Sequence, residues 1–156
     1  LAALLHDIGK LDVSGTILNK PGRLTEEEWQ IMKVHPERGA EILRCIEELD
    51  FLYERIKYHH RNFDGSGYPI DCPIEEVPFD AYIIAVADAF DAMTSDRPYR
   101  KALSTEKAYE ELKTCAGTQF HPKVVEAFFS AGIVPVENEI LHIDLRLILN
   151  NVQGGV

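Results

Sequence analysis

Residues 79–93 constrain the fold most. They form a helical stretch so apolar that it belongs at the centre of a bundle, yet they carry a carboxylate in their middle. The run is Ile83-Ile84-Ala85-Val86-Ala87-Asp88-Ala89-Phe90. Desolvating Asp88 there without a cation or strong donors is costly. Asp91, three residues on, falls on the same helix face. Two carboxylates on one buried face repel unless something positive sits between them. A metal ion meets that demand; an ion pair with an arginine or lysine is the plainer alternative.

The rest of the chain has helical periodicity almost throughout, which predicts an all-α class with little strand. Residues 1–9 read as the end of a helix with Gly9 as a stop signal, followed by a loop containing Gly15, Pro21 and Gly22. Thr25 and Glu28 make a capping-box pattern for a helix that should end near His35-Pro36, because proline disfavours helix in the residue before it. Helices are expected at about 37–48 and 50–60, the latter with Phe51, Leu52, Ile56 and Tyr58 inward. Residues 61–78 form a polar loop with Gly65, Gly67, Pro69, Pro73 and Pro78, long enough to suggest function. Helices at about 105–115 and 122–131 follow. The tail 133–156 alternates weakly, and strand and helix stay open there. It stands as a segment apart from a domain spanning 1–132.

A chain of 156 residues with 46% hydrophobic and 27% charged residues fits one globular domain. The net charge of −10 argues against broad binding to nucleic-acid polymers or anionic membranes, while leaving room for a small phosphate ligand. No membrane segment is visible, since no apolar run approaches ~18 residues. Cys45, Cys72 and Cys115 form no CxxC pair, so they read as buried or half-buried small side chains in a reducing, cytoplasmic setting. The chain opens on Leu1 inside an apolar pattern, like the middle of a longer protein.

The chemistry starts at His6-Asp7, with Lys10 one turn on. His35 and His59-His60 also fall at predicted helix ends, from which several helices can point ligands at one spot. Imidazole and carboxylate without thiolate suit iron, manganese, zinc or nickel. Asp7 could bridge two ions, and such a pair can hold a hydroxide for phosphoryl displacement. Arg97, Arg100 and Lys101 follow the Asp88 helix directly, and guanidinium groups match phosphate oxygens. A solvated basic loop is the alternative for that cluster. His121, before Pro122, reads as a structural helix boundary, and His142 as incidental.

Taken in order, these blocks resemble one family. His6-Asp7-Ile8-Gly9-Lys10 matches an HD-x-G-K signature, and His59-His60-Arg61-Asn62-Phe63-Asp64-Gly65-Ser66-Gly67-Tyr68-Pro69 an HH-xxx-DGxGYP signature. Asp88 to Arg100 and Gly117 to Pro122 resemble the third and fourth blocks. The family is the HD-GYP domain of the HD superfamily. The resemblance implies a helical bundle with a buried centre of two or three divalent ions, usually iron or manganese. It implies hydrolysis of the bacterial messenger cyclic di-GMP to linear pGpG, often onward to GMP.

Carried over, it makes His6, Asp7, His35, His59, His60 and Asp88 metal ligands, with Asp7 bridging. Asp7 and Lys10 are the expected catalytic pair. Lys10, Tyr68, Asp91, Arg97 and Arg100 are the expected substrate-binding residues. Gly65 and Gly67 should allow a tight loop, with Asp64 capping its turn. Arg61 stands where many relatives carry a glutamate. The family has a further ligand histidine upstream of the His-Asp pair, so weak metal occupancy and self-association, including a homodimer, are expected of this chain. The alternative is an inactive signalling module docking on diguanylate cyclase domains. A generic mononucleotide HD phosphohydrolase is disfavoured by the DGSGYP block.

Overall fold

The computed structural model describes residues 1–96 and 100–132, and these form a helical bundle with no strand among them. The α-helices are α1 (Ala2–Leu5), α2 (Gly15–Leu18), α3 (Glu26–Met32), α4 (His35–Arg44), α5 (Tyr53–Lys57), α6 (Phe79–Thr94), α7 (Thr105–Thr114) and α8 (Pro122–Ser130). Short 3-10 turns at Ile8–Asp12, Glu47–Leu52 and Ile74–Glu76 join them. No helix among the described residues is long and apolar enough to cross a membrane. Arg97, His142 and the tail from residue 133 lie outside the described residues.

Helix α6 is the central element, as its composition requires. Ala81, Tyr82, Ile83, Ile84, Val86, Ala87, Phe90 and Met93 are all buried, so apolar side chains cover most of its circumference. Its far side packs with α7 and α8 around Phe90, Leu112, Val124 and Phe128. A second, smaller core of Ala40, Leu43, Leu52 and Ile56 joins α4 and α5. Helix α1 packs on both α5 and α6. The seam between the two cores is therefore where α1, α4, α5 and α6 meet, and His6, His35, His59 and His60 gather there.

Local chemistry explains the helix starts. The Thr25 hydroxyl accepts from the Glu28 amide at 3.3 Å, and Glu28 accepts from the Thr25 amide at 2.7 Å, closing the capping box. At α8, His121 Nδ1 accepts from the Lys123 amide at 3.2 Å and Pro122 occupies the first turn. The His121 ring also packs on Phe63, Phe79 and Tyr82.

Four expectations are corrected. His35 does not end α3 but opens α4, with Val34 as its N-cap. Proline tolerates the first turn of a helix, so His35-Pro36 marks a start. Phe51 is 58% exposed, because the 3-10 turn at 47–52 rotates it away from Leu52 and Ile56. Cys45 is exposed, while Cys72 and Cys115 are half-buried. Gly9 ends no helix; it lies inside the 3-10 turn at Ile8–Asp12. Its role is close approach: a Cβ there would lie 1.9 Å from the His35 carbonyl oxygen and 2.5 Å from the Gly39 nitrogen. The turn after the His-Asp pair thus lies backbone to backbone on α4.

Candidate metal centre

Three histidines reach the seam by the same local device. His6 Nδ1 pairs with the Ala3 carbonyl at 2.7 Å, His35 Nδ1 with Met32 at 2.8 Å, and His59 Nδ1 with Ile56 at 2.6 Å. Each partner lies three residues upstream, so each ring folds back along its own turn. A carbonyl oxygen only accepts, so each Nδ1 carries the proton and Nε2 of the neutral ring presents a lone pair. These three Nε2 atoms are buried and have no hydrogen-bond partner among the described residues.

Carboxylates face those lone pairs. Asp7 Oδ1 is 3.3 Å from His35 Nε2, and its Oδ2 is 3.5 Å from His6 Nε2. Asp88 Oδ1 is 3.5 Å from His6 Nε2 on the other side. Acceptors aimed at acceptors in a buried place need a cation between them. Two ligand groupings have donor atoms close enough for an ion: His35, His59 and His60, and His6, Asp7 and His59. His59, fully buried, belongs to both. The residues thus fit divalent metal, with the nitrogen and oxygen donor set of a hard-to-borderline ion.

Electrostatics agree. Burial, then the neighbouring His60, pushes His59 well below the usual imidazole range. Burial and the adjacent His35 lower His60 to about 4. Both rings are therefore neutral and free to ligate near neutral pH. His6 goes the other way: burial opposes its charge, but Asp88 and Asp7 raise it overall. Burial also opposes charge on Asp7, yet His35, His6 and Lys10 hold its carboxyl far below the ordinary range. Asp88 is lowered too, with His6 outweighing the burial.

These directions set a pH dependence. Unfolded histidines take up protons near 6.5, whereas folded His60 does so only near 4. Between those values the unfolded chain binds more protons, so stability falls as pH falls. The same sign holds for His59. The raised His6 is protonated in both states below 6.5, so its stabilisation is constant in this window and is lost only as pH rises through its folded value. His60 alone makes the metal-free protein lose on the order of 3 kcal/mol between pH 6.5 and 4, and His59 adds to the loss. Thermal melts in chelator across that range check it, with Tm expected to drop by roughly 5–10 °C. A flat or rising Tm would contradict the assignment of neutral, buried rings.

Of the other predicted site residues, Lys10 lies on the centre, its Nζ 2.5 Å from Asp7 Oδ2. Tyr68 stacks near His60, ring centroids 4.9 Å apart. Burial, then Asp88 and Asp7, raises its hydroxyl pKa, so it stays a protonated donor. Asp91 accepts from the Ser95 hydroxyl at 3.3 Å, one turn beyond Asp88. Arg100 is exposed, and its guanidinium donates to the Ala92 carbonyl at 2.6 Å near the end of α6. Arg97 lies outside the described residues.

Folding of the 61–69 loop brings Tyr68 home. Gly67 has φ of 83°, and a Cβ there would lie 2.3 Å from the His60 carbonyl oxygen. That same carbonyl accepts from the Tyr68 amide at 3.1 Å. Asp64 Oδ1 accepts from the Ser66 amide at 2.9 Å, capping the turn. The fourth sequence block supports the loop from behind: Phe63 donates to Gln119 and Asp64 to Thr118. Arg61 is buried, and its guanidinium donates to the Gly65 and Ser66 carbonyls. Neither Arg61 as a latch nor Trp29, which packs on Tyr68, stood out in the sequence. Being the single tryptophan was the one available signal for the latter.

Comparison with known proteins places this geometry. Residues 1–124 match the HD domain family. A protein of Thermotoga maritima named as a cyclic di-GMP phosphodiesterase is 46% identical over 129 residues, 81% of this chain and 35% of its own length. A cyclic di-GMP phosphodiesterase of Pseudomonas aeruginosa is 42% identical over 87% of this chain and 33% of its own. A 3′3′-cGAMP-specific phosphodiesterase of Vibrio cholerae is 40% identical over 80% of this chain and 24% of its own. The chain spans a third or less of the length of most such relatives. With the His-Asp pair, the paired histidines and the DGSGYP loop on one centre, the chain belongs to the HD domain family, in its HD-GYP branch.

Proposed function

We propose that this chain is the hydrolytic core of a metal-dependent phosphodiesterase acting on a cyclic dinucleotide, cyclic di-GMP, opened to linear pGpG and then cut to GMP. The observation that carries it is Asp7, whose two carboxylate oxygens face different histidines, His35 and His6. That placement suits a carboxylate shared by two ions. His6, Asp7, His35, His59, His60 and Asp88 would hold the ions, iron or manganese in this reading. Bound there, divalent ions supply an activated water at neutral pH and neutralise charge on the diester.

The protein side chains do the rest. Lys10 holds Asp7 ionised and offers Nζ donors to a phosphate oxygen. Tyr68, kept protonated, donates its hydroxyl beside His60. Arg97 and Arg100, which follow α6 in the sequence, bind the second phosphate, and Asp91, one turn beyond Asp88, is a further substrate contact. The relatives named for cyclic di-GMP and for 3′3′-cGAMP support the substrate class, and those named for cyclic di-GMP include the proteins 46% and 42% identical to this chain.

The test uses the full-length protein, reconstituted anaerobically with iron or manganese and supplied with cyclic di-GMP or 3′3′-cGAMP. Linear pGpG should appear first and GMP later, chelator should stop both, and cyclic di-GMP should be preferred. Metal-loaded protein that leaves both cyclic dinucleotides intact would refute the reading in favour of a docking module for diguanylate cyclase domains.

A further inference from the structure

We propose that Trp29 is the outer wall of a nucleobase subsite, taking a purine base of the substrate while its phosphate lies at the metal centre. This rests on the cyclic dinucleotide reading above. Three rings lead from the centre to the surface. His60 and Tyr68 have centroids 4.9 Å apart, and Tyr68 and Trp29 5.9 Å. Trp29 meets Tyr68 at 86°, so at least one broad face of the indole is left uncovered by Tyr68. Trp29 is 39% exposed at the end of that path.

Single exposed apolar residues are ordinary on protein surfaces. Trp29 differs by its continuity with two rings that enter the site. Its surroundings also sort the two halves of a nucleotide. The first turn of α3 carries Glu26, Glu27 and Glu28, of which Glu28 is paired with Lys20; the remaining net negative charge repels phosphate but not a neutral base. Lys10 lies at the inner end of the path, on Asp7. Phosphate is therefore directed inward and the base outward, onto the indole. Base–aromatic stacking is tolerant of base identity and worth about 1–3 kcal/mol. A subsite of this kind holds either purine, and selectivity between them comes from elsewhere.

Trp29 is the only tryptophan of these 156 residues, and the part of the fluorescence change that Trp29→Phe abolishes reports this position. The chelated full-length protein is titrated with cyclic di-GMP, guanosine 5′-monophosphate and ribose 5-phosphate, which separates binding from turnover. Saturable quenching is expected from the first two and not from the third. In the metal-loaded protein, Trp29→Ala should raise KM for cyclic di-GMP about 10- to 100-fold, the kinetic equivalent of one lost stack. Its preference for cyclic di-GMP over methyl p-nitrophenyl phosphate, a diester without a base, should fall by the same factor. Trp29→Phe should recover most of that preference.

Quenching that does not depend on the base overturns the subsite, as does an unaltered preference in Trp29→Ala. A fall in kcat for both diesters alike also overturns it, since Trp29 would then act only by holding Tyr68. Base-dependent quenching in a wild-type protein that hydrolyses methyl p-nitrophenyl phosphate but no cyclic di-GMP would leave the subsite standing and refute the proposed function instead.

Discussion

Asp7→Asn is expected to empty the metal centre and lower turnover of cyclic di-GMP by about a thousand-fold, equivalent to about 4 kcal/mol in the barrier. The side chain keeps its volume, so the fold has no packing reason to fail. What changes is one oxygen. In the wild type, Oδ1 faces His35 Nε2 at 3.3 Å and Oδ2 faces His6 Nε2 at 3.5 Å. An amide places an NH2 on one of those sides, where a donor satisfies the histidine lone pair directly. The demand for a cation disappears on that side, and with it the whole negative charge of Asp7. Metal content by mass spectrometry and steady-state rates should therefore fall together. Full metal content with full turnover would remove Asp7 from the bridging role. An unfolded variant, seen by circular dichroism, would show that Asp7 serves the fold first.

Among the described glycines, Gly9→Ala should bring the closest backbone clash. Its Cβ would sit 1.9 Å from the His35 carbonyl oxygen and 2.5 Å from the Gly39 nitrogen, both backbone atoms. No rotamer change relieves such a clash, so the turn at 8–12 and α4 must separate. Overpacking costs about 1–3 kcal/mol where side chains can yield. Here we expect the upper end or beyond, with Tm lower by roughly 6–12 °C. Because the displaced atoms belong to His35, its distance to Asp7 grows as well, and metal affinity should fall with stability. The control is Gly15→Ala, where the nearest atom is the flexible Asn19 amide at 3.8 Å. That change should cost nothing or stabilise slightly. Equal melting temperatures for the two variants would refute the close-approach account.

The family, the helical class and the histidines and carboxylates of the centre were legible in the chain because each rests on local geometry. A capping box spans three residues, and so does the histidine-to-carbonyl contact that aims His6, His35 and His59. Asp88 was conspicuous because an apolar helix advertises the cost of a carboxylate inside it. The glycines and proline of the 61–69 loop announced a tight path for the same local reason.

What the sequence left open depended on which surfaces meet. Gly9 looked like a stop signal, and only α4 lying against it shows that the missing Cβ matters. Phe51 satisfied a helical pattern until a 3-10 turn replaced the expected one and rotated it outward. Arg61 is buried on two loop carbonyls that no spacing rule points to. Trp29 is far from every motif along the chain, yet it stands one ring from Tyr68 and two from His60. The aim of these side chains was thus set by short-range chemistry that a sequence can carry. The walls of the site, and the fit between the His-Asp turn and α4, were decided by long-range packing, where the cost of a contact depends on atoms from a distant part of the chain.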